Sequence, residues 1–149
     1  MLPPISVVDN TSGNAHNNPL GIKIEKRAAP FGAILCQEHY EWWVKIWFFL
    51  AGFLPVLLFK FGPLNRWLEF RGHAIECAVA IKHYNMSPEG YMEMEAGGMF
   101  AGYSGLFSQY TVPQIIAKLK SLQPWAERWM KSRTRLIDKY IKMDPKFRN

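Results

Sequence analysis

The sequence predicts a mainly α fold of the α+β kind, with five or so helices and a small β element near the N-terminus. Three observations predict it. Apolar and aromatic stretches beyond residue 30 are punctuated at helical lengths by proline, glycine and capping residues. Period-two alternation is confined to the first 25 residues. A chain of 149 residues is also long enough to close one hydrophobic core without disulfides.

Each element has its own signal. Residues 5–8 (ISVV) and 20–25 read as short strands, the second alternating as Leu20, Ile22, Ile24. A first helix is expected from about residue 30, where Pro30 suits a first helical turn, to about residue 49. Gly52 and Pro55 interrupt the apolar run 46–59, which falls short of the roughly 20 residues needed to span a bilayer. That run reads as a buried hairpin or an interfacial segment over 47–61, with no transmembrane span. A second helix starts at Gly62-Pro63 and runs to Tyr84, with Asn85 able to close it. Ser87-Pro88-Glu89 opens a third helix, and Gly97, Gly98, Gly102 and Gly105 then loosen the chain into a loop. Thr111 and Gln114 form a capping box that starts a fourth helix, and Pro124 is expected to start a fifth.

Charge divides the chain. From residue 117 to 149 there are ten Lys/Arg against three Asp/Glu, a balance of +7 that leaves the first 116 residues at −1 of the total +6. Trp125, Trp129, Leu136, Tyr140 and Met143 fall close to one helical stripe there, with most bases elsewhere. The expected organisation is therefore an extended N-terminal arm (1–19), a helical core (20–123) and a basic amphipathic C-terminal helix (124–149). Trp125, Trp129, Arg133 and Arg135 are the expected partner-binding residues, facing other protein subunits, nucleic acid or an anionic surface. The arm is too polar to support itself, and its start lacks the basic and apolar run of a signal peptide. Two cysteines, Cys36 and Cys77, fit a reduced chain better than a disulfide framework. No Gly-rich phosphate loop, G-x-S-x-G elbow or zinc-ribbon spacing is present.

Two stretches carry candidate chemistry. In an H-E-x-x-H helix, two histidines at i and i+4 face one metal while the intervening Glu activates water. Residues 37–41 read Gln-Glu-His-Tyr-Glu, which keeps that Glu as Glu38 but puts Gln37 and Glu41 at the histidine positions. On the second helix Glu69, His73, Glu76 and Cys77 share a face, because residues three and four apart stack. His73-Ala74-Ile75-Glu76-Cys77 also differs from an inverted H-x-x-E-H motif only in its last residue.

With the strand GIKIEK ahead of the first helix and the acid-bearing second helix behind it, residues 20–84 resemble the small zincin-like metallopeptidase homologues of bacteriophage and bacterial genomes. The resemblance implies a zincin-like core in which Glu38 is the catalytic base, Gln37 and Glu41 stand for the two histidine ligands, and Glu76 is the third ligand. Zinc is the cofactor it implies. From the residues themselves the candidate metal ligands are Glu41, His73, Glu76 and Cys77, with Lys45 or Arg71 as basic partners. Because two ligand positions are altered, the expected function is that of a non-catalytic structural or assembly protein of a bacteriophage, in the virion or the host cytoplasm. The alternatives are a divergent metallopeptidase using Glu38 and a peripheral membrane protein using the 47–61 hairpin and the basic tail.

Overall fold

A computed structural model of the chain describes residues 1–9, 13–51 and 62–147. The architecture is mainly helical with a small N-terminal sheet, as expected. The apolar hairpin expected over 47–61 lies largely outside the described residues.

Three strands, β1 (Ile5–Val8), β2 (Ala15–Asn18) and β3 (Gly21–Glu25), form a sheet in the order β1-β3-β2. β1 runs parallel to β3, and β2 pairs with it antiparallel in a register that sets Asn17 opposite Ile22. Alternation decides which face is buried: Ile22 and Ile24 point into the core while Lys23 between them is exposed. Gly21 has φ +145°, and a Cβ there would run into the carbonyl oxygen of Pro4, so only glycine lets β1 start beside it.

Five helices follow among the described residues: α1 (Phe31–Leu50), α2 (Gly62–His83), α3 (Pro88–Ala101), α4 (Val112–Lys131) and α5 (Thr134–Lys142). The short 3₁₀ turns Tyr103–Gly105 and Pro145–Phe147 flank α4 and α5. The peptide bond before Pro30 is cis. α1 and α2 pack antiparallel: the Gly32 N–H donates to the Tyr84 hydroxyl at one end (2.9 Å), and Gln37 meets His73 further along. A continuous core gathers Leu35, Leu68, Ile75, Met99, Phe107, Leu119 and Tyr140. No helix among the described residues is long and apolar enough to cross a membrane.

Several expectations change. A third strand, β2, appears where none was expected, because its alternation is carried by Ala15 and Asn17 against polar neighbours. Leu20 is 85% exposed and belongs to the turn before β3. α3 runs past Gly97 and Gly98 to Ala101. Pro124 lies inside α4, so it starts no helix, and the domain boundary expected at 124 falls in the middle of a continuous helix. The expected arm supplies two of the three strands. The expected tail is equally part of the domain: Trp129, Ile137 and Tyr140 are buried, with Tyr140 wholly inside.

Candidate functional site

The site lies where α1, α2 and α3 meet beneath β2. Helical spacing on α1 puts Gln37, Glu38 and Glu41 on one side, and on α2 it aligns Glu69, His73 and Glu76. Gly72 lets the two helices close together, since a Cβ there would collide with the Glu41 carboxylate and come within 3.0 Å of Gln37 Cγ. α3 contributes Tyr91 and Glu95, one turn apart.

His73 is the hub. Its Nδ1 lies 2.6 Å from Glu95 Oε2 and 3.6 Å from Glu76 Oε2. Its Nε2 lies 2.6 Å from the Tyr103 hydroxyl and 3.7 Å from Glu69 Oε2. Gln37 Nε2 stands 3.5 Å from the same Nε2 and donates to Glu41 Oε1 at 2.9 Å. The Tyr91 hydroxyl donates to Glu76 Oε1 at 2.6 Å. From the sheet, Asn17 Nδ2 donates to Glu38 Oε2 (2.6 Å) and Glu41 Oε2 (3.1 Å), while its Oδ1 accepts from Lys45 Nζ (2.8 Å). A cavity of about 460 Å³ opens onto Glu38, His73, Glu76, Glu95 and Tyr103. Tyr103 adopts φ +56°, a region unfavourable for a bulky side chain, and in that conformation its hydroxyl meets His73.

Burial sets the electrostatics. It raises Glu38 to about 8, helped by the charge of Glu41, and raises Glu69 to about 7, again with Glu41. Glu76 rises to about 8 through burial and the neighbouring Glu95. Burial opposes charge on His73, but its hydrogen bond to Glu95 and the carboxylates of Glu95, Glu76 and Glu69 outweigh that and raise it to about 10. The cluster thus holds protons shared among acids that water cannot fully solvate.

The sequence-derived residues sort clearly. Glu38, Glu41, His73 and Glu76 do converge between α1 and α2. The donors that gather within 4.8 Å of one another are His73, Glu76 and Glu95, and this group could hold a metal ion. It takes only Glu76 from the ligand set that the zincin resemblance implies. Cys77 stands outside the group, fully buried with its thiol pushed up by burial, and Glu41 is engaged by Asn17 and Gln37. Lys45 reaches the cluster through Asn17, whereas Arg71 stacks between Trp67 and Trp125. Trp125 and Trp129, expected to face a partner, pack edge-on against Tyr40, and Arg133 covers Trp129. Arg135 is exposed.

Sequence reasoning missed Glu95, Tyr91, Tyr103 and Asn17. Tyr91 and Glu95 carried a signal, an i,i+4 polar pair on a helix with little apolar patterning. Asn17 and Tyr103 carried none, since each reaches the site through tertiary placement of a short element. Comparison with protein-family models, with curated proteins and with solved structures found no match to this chain.

Proposed function

We propose that the protein is a divalent-metal protein of hydrolytic type, with the ion held by His73, Glu76 and Glu95 and with Glu38 as general base beside it. The carrying observation is the crowding of carboxylates around His73, which in the metal-free protein is met by protons on Glu38, Glu69, Glu76 and His73. Five carboxylates and one imidazole share a buried site, and the one ammonium that reaches it among the described residues, Lys45, does so through an amide. Buried carboxylates in such number need protons, cations or a metal. The donor set is a hard one, of carboxylate oxygens and one imidazole nitrogen, suited to zinc, manganese or iron.

When bound, such an ion supplies Lewis-acid polarisation and a water of lowered pKa. The chain's own groups supply the rest. Glu38 lines the cavity with a carboxyl raised toward neutrality by burial, the range in which a carboxylate serves as base. Asn17 fixes its orientation, and the Tyr103 hydroxyl, bonded to His73 Nε2 and to the Glu69 carboxylate, lines the cavity beside them. Polypeptide is the substrate class that the zincin resemblance implies.

Elemental analysis of protein purified without chelator should find about one divalent ion per chain, lost in Glu76→Gln and Glu95→Gln. Protein that carries no metal and whose Tm is indifferent to added zinc, manganese and iron would sink the reading. That outcome would leave the assembly protein of a bacteriophage as the second reading. It is favoured by one observation, the large exposed side chains Trp47, Phe49 and Leu50 at the C-terminal end of α1.

A further inference from the structure

α1 has a second functional side. Turned away from Glu38 and Glu41, it presents Tyr40 and Trp43 to a cavity of about 480 Å³ completed by α2, α4 and the start of the α4–α5 link. That volume falls within the range of about 300–1,000 Å³ typical of small-molecule sites. Arg71, Arg128 and Arg133 line it together with Trp43, Trp125 and Trp129. Among the described residues no acidic side chain lines it.

Two of the arginines, Arg71 and Arg133, are placed by rings. The Arg71 guanidinium lies 4.5 Å from the centre of Trp125 and 5.0 Å from Trp67, and that of Arg133 lies 4.9 Å from Trp129. Tyr40 buttresses both indoles edge-on, at 5.4 and 6.4 Å. A guanidinium resting on an indole is oriented without being neutralised, and the N–H groups it does not spend on neighbours, as Arg71 does on Tyr40, remain for an oxyanion. Arg133 uses one nitrogen on Ser132 Oγ, and no ion pair joins any of the three arginines to a carboxylate among the described residues. His39, also at the wall, is kept uncharged mainly by burial and in addition by the nearby charge of Arg133.

We propose that this pocket binds a phosphate monoester carrying an aromatic base, a nucleotide, with the phosphate on the arginine fork and the base against the partly exposed Trp43 and Trp125. Three uncompensated guanidiniums around one concavity call for an anion of more than one charge, and bidentate phosphate recognition is what arginine geometry serves. Trp43, stacked on one side by Trp42, and Trp125, with Arg71 on one side, are partly exposed beside them and suit a planar ring. The same unit occurs as a free mononucleotide and as the phosphorylated end of a single strand.

Titration calorimetry on the full chain, in buffer free of divalent metal so that the carboxylate site plays no part, tests this with AMP, adenosine, inorganic phosphate and a 5′-phosphorylated oligonucleotide. AMP should bind at least about tenfold more tightly than adenosine or phosphate, and Arg128→Glu should weaken it about tenfold or more. Arg128 is exposed, so that change spares the core. Tighter binding of the oligonucleotide than of AMP assigns the site to strand ends, and the reverse assigns it to free nucleotides. Either ranking supports the proposal. Equal binding of AMP and phosphate, equal binding of AMP and adenosine, no AMP binding at millimolar concentration, or an Arg128→Glu protein that binds as the parent does would each overturn it.

Discussion

At the scale of single residues, the site depends on what is missing at position 72. A helix interior normally favours alanine over glycine by about 1 kcal/mol, so Gly72→Ala ought to stabilise α2 if nothing else changed. The added methyl would meet the Glu41 carboxylate, which Asn17 and Gln37 hold in place, and would crowd Gln37 Cγ at 3.0 Å. Overpacking of this kind costs about 1–3 kcal/mol and exceeds the propensity gain. Gly72→Ala is therefore expected to lose stability on balance in urea unfolding. In a Glu41→Ala background the same change should become neutral or stabilising, because the clashing group is gone. A net gain in the parent background would mean that α1 and α2 are less tightly apposed than 3.0 Å implies. The same geometry explains why this part of the site could be read from the sequence. Glu38 and Glu41, and His73 and Glu76, sit at i,i+3 spacings on two long helices, and local periodicity is what a sequence displays. Glu95 is joined to His73 across 22 positions and Asn17 to Glu38 across 21, and no local pattern reports such pairings.

At the scale of elements, capping chemistry was the readable part. Ser87 accepts from the Gly90 N–H, Thr111 and Gln114 close their box reciprocally, and Asn85 takes φ +52° just beyond α2. Each signal is local, so each survived folding unchanged. Pro124 is the counterexample. As the start of a helix it would be ordinary, but α4 continues through it with Leu119 buried on one side and Ala126, Trp129 and Met130 on the other. Tertiary burial overrides the local stop. The proline removes the hydrogen bond that its N–H would give to residue 120, while Gln123 Nε2 ties the turn to the carbonyls of Leu119 (3.1 Å) and Ala74 (3.2 Å). Pro124→Ala should restore the missing bond and raise stability by about 1–2 kcal/mol, less than the usual interior-proline cost of about 3 because the unfolded chain also regains freedom. Chemical denaturation measures it. A loss instead would show that the proline is required to seat Trp125 and Trp129 against Tyr40.

At the scale of the whole molecule, the carboxylate cluster makes stability a function of protons. Glu38, Glu69 and Glu76 all bind protons more tightly folded than unfolded, since burial raises them from 4.5 to about 8, 7 and 8. Their contribution to stability is complete below about pH 4.5 and is lost as pH rises through 7 to 8. His73 acts in the same direction, its contribution complete below 6.5 and lost as pH rises through about 10. The effects add, so the metal-free protein is expected to melt at a higher temperature near pH 5 than near pH 8, the reverse of a fold held by ordinary carboxylate ion pairs. Glu38→Gln and Glu76→Gln should each flatten the profile by removing one titrating group while keeping its shape. A divalent ion competes for the groups the protons occupy, so its stabilising effect should be larger at pH 8 than at pH 5. Calorimetric melting across that range, with and without zinc, reads both predictions together. A Tm that rises steadily from pH 5 to pH 8 in the metal-free chain would mean that the cluster is solvated in the folded protein. Its carboxylates would then need neither protons nor metal.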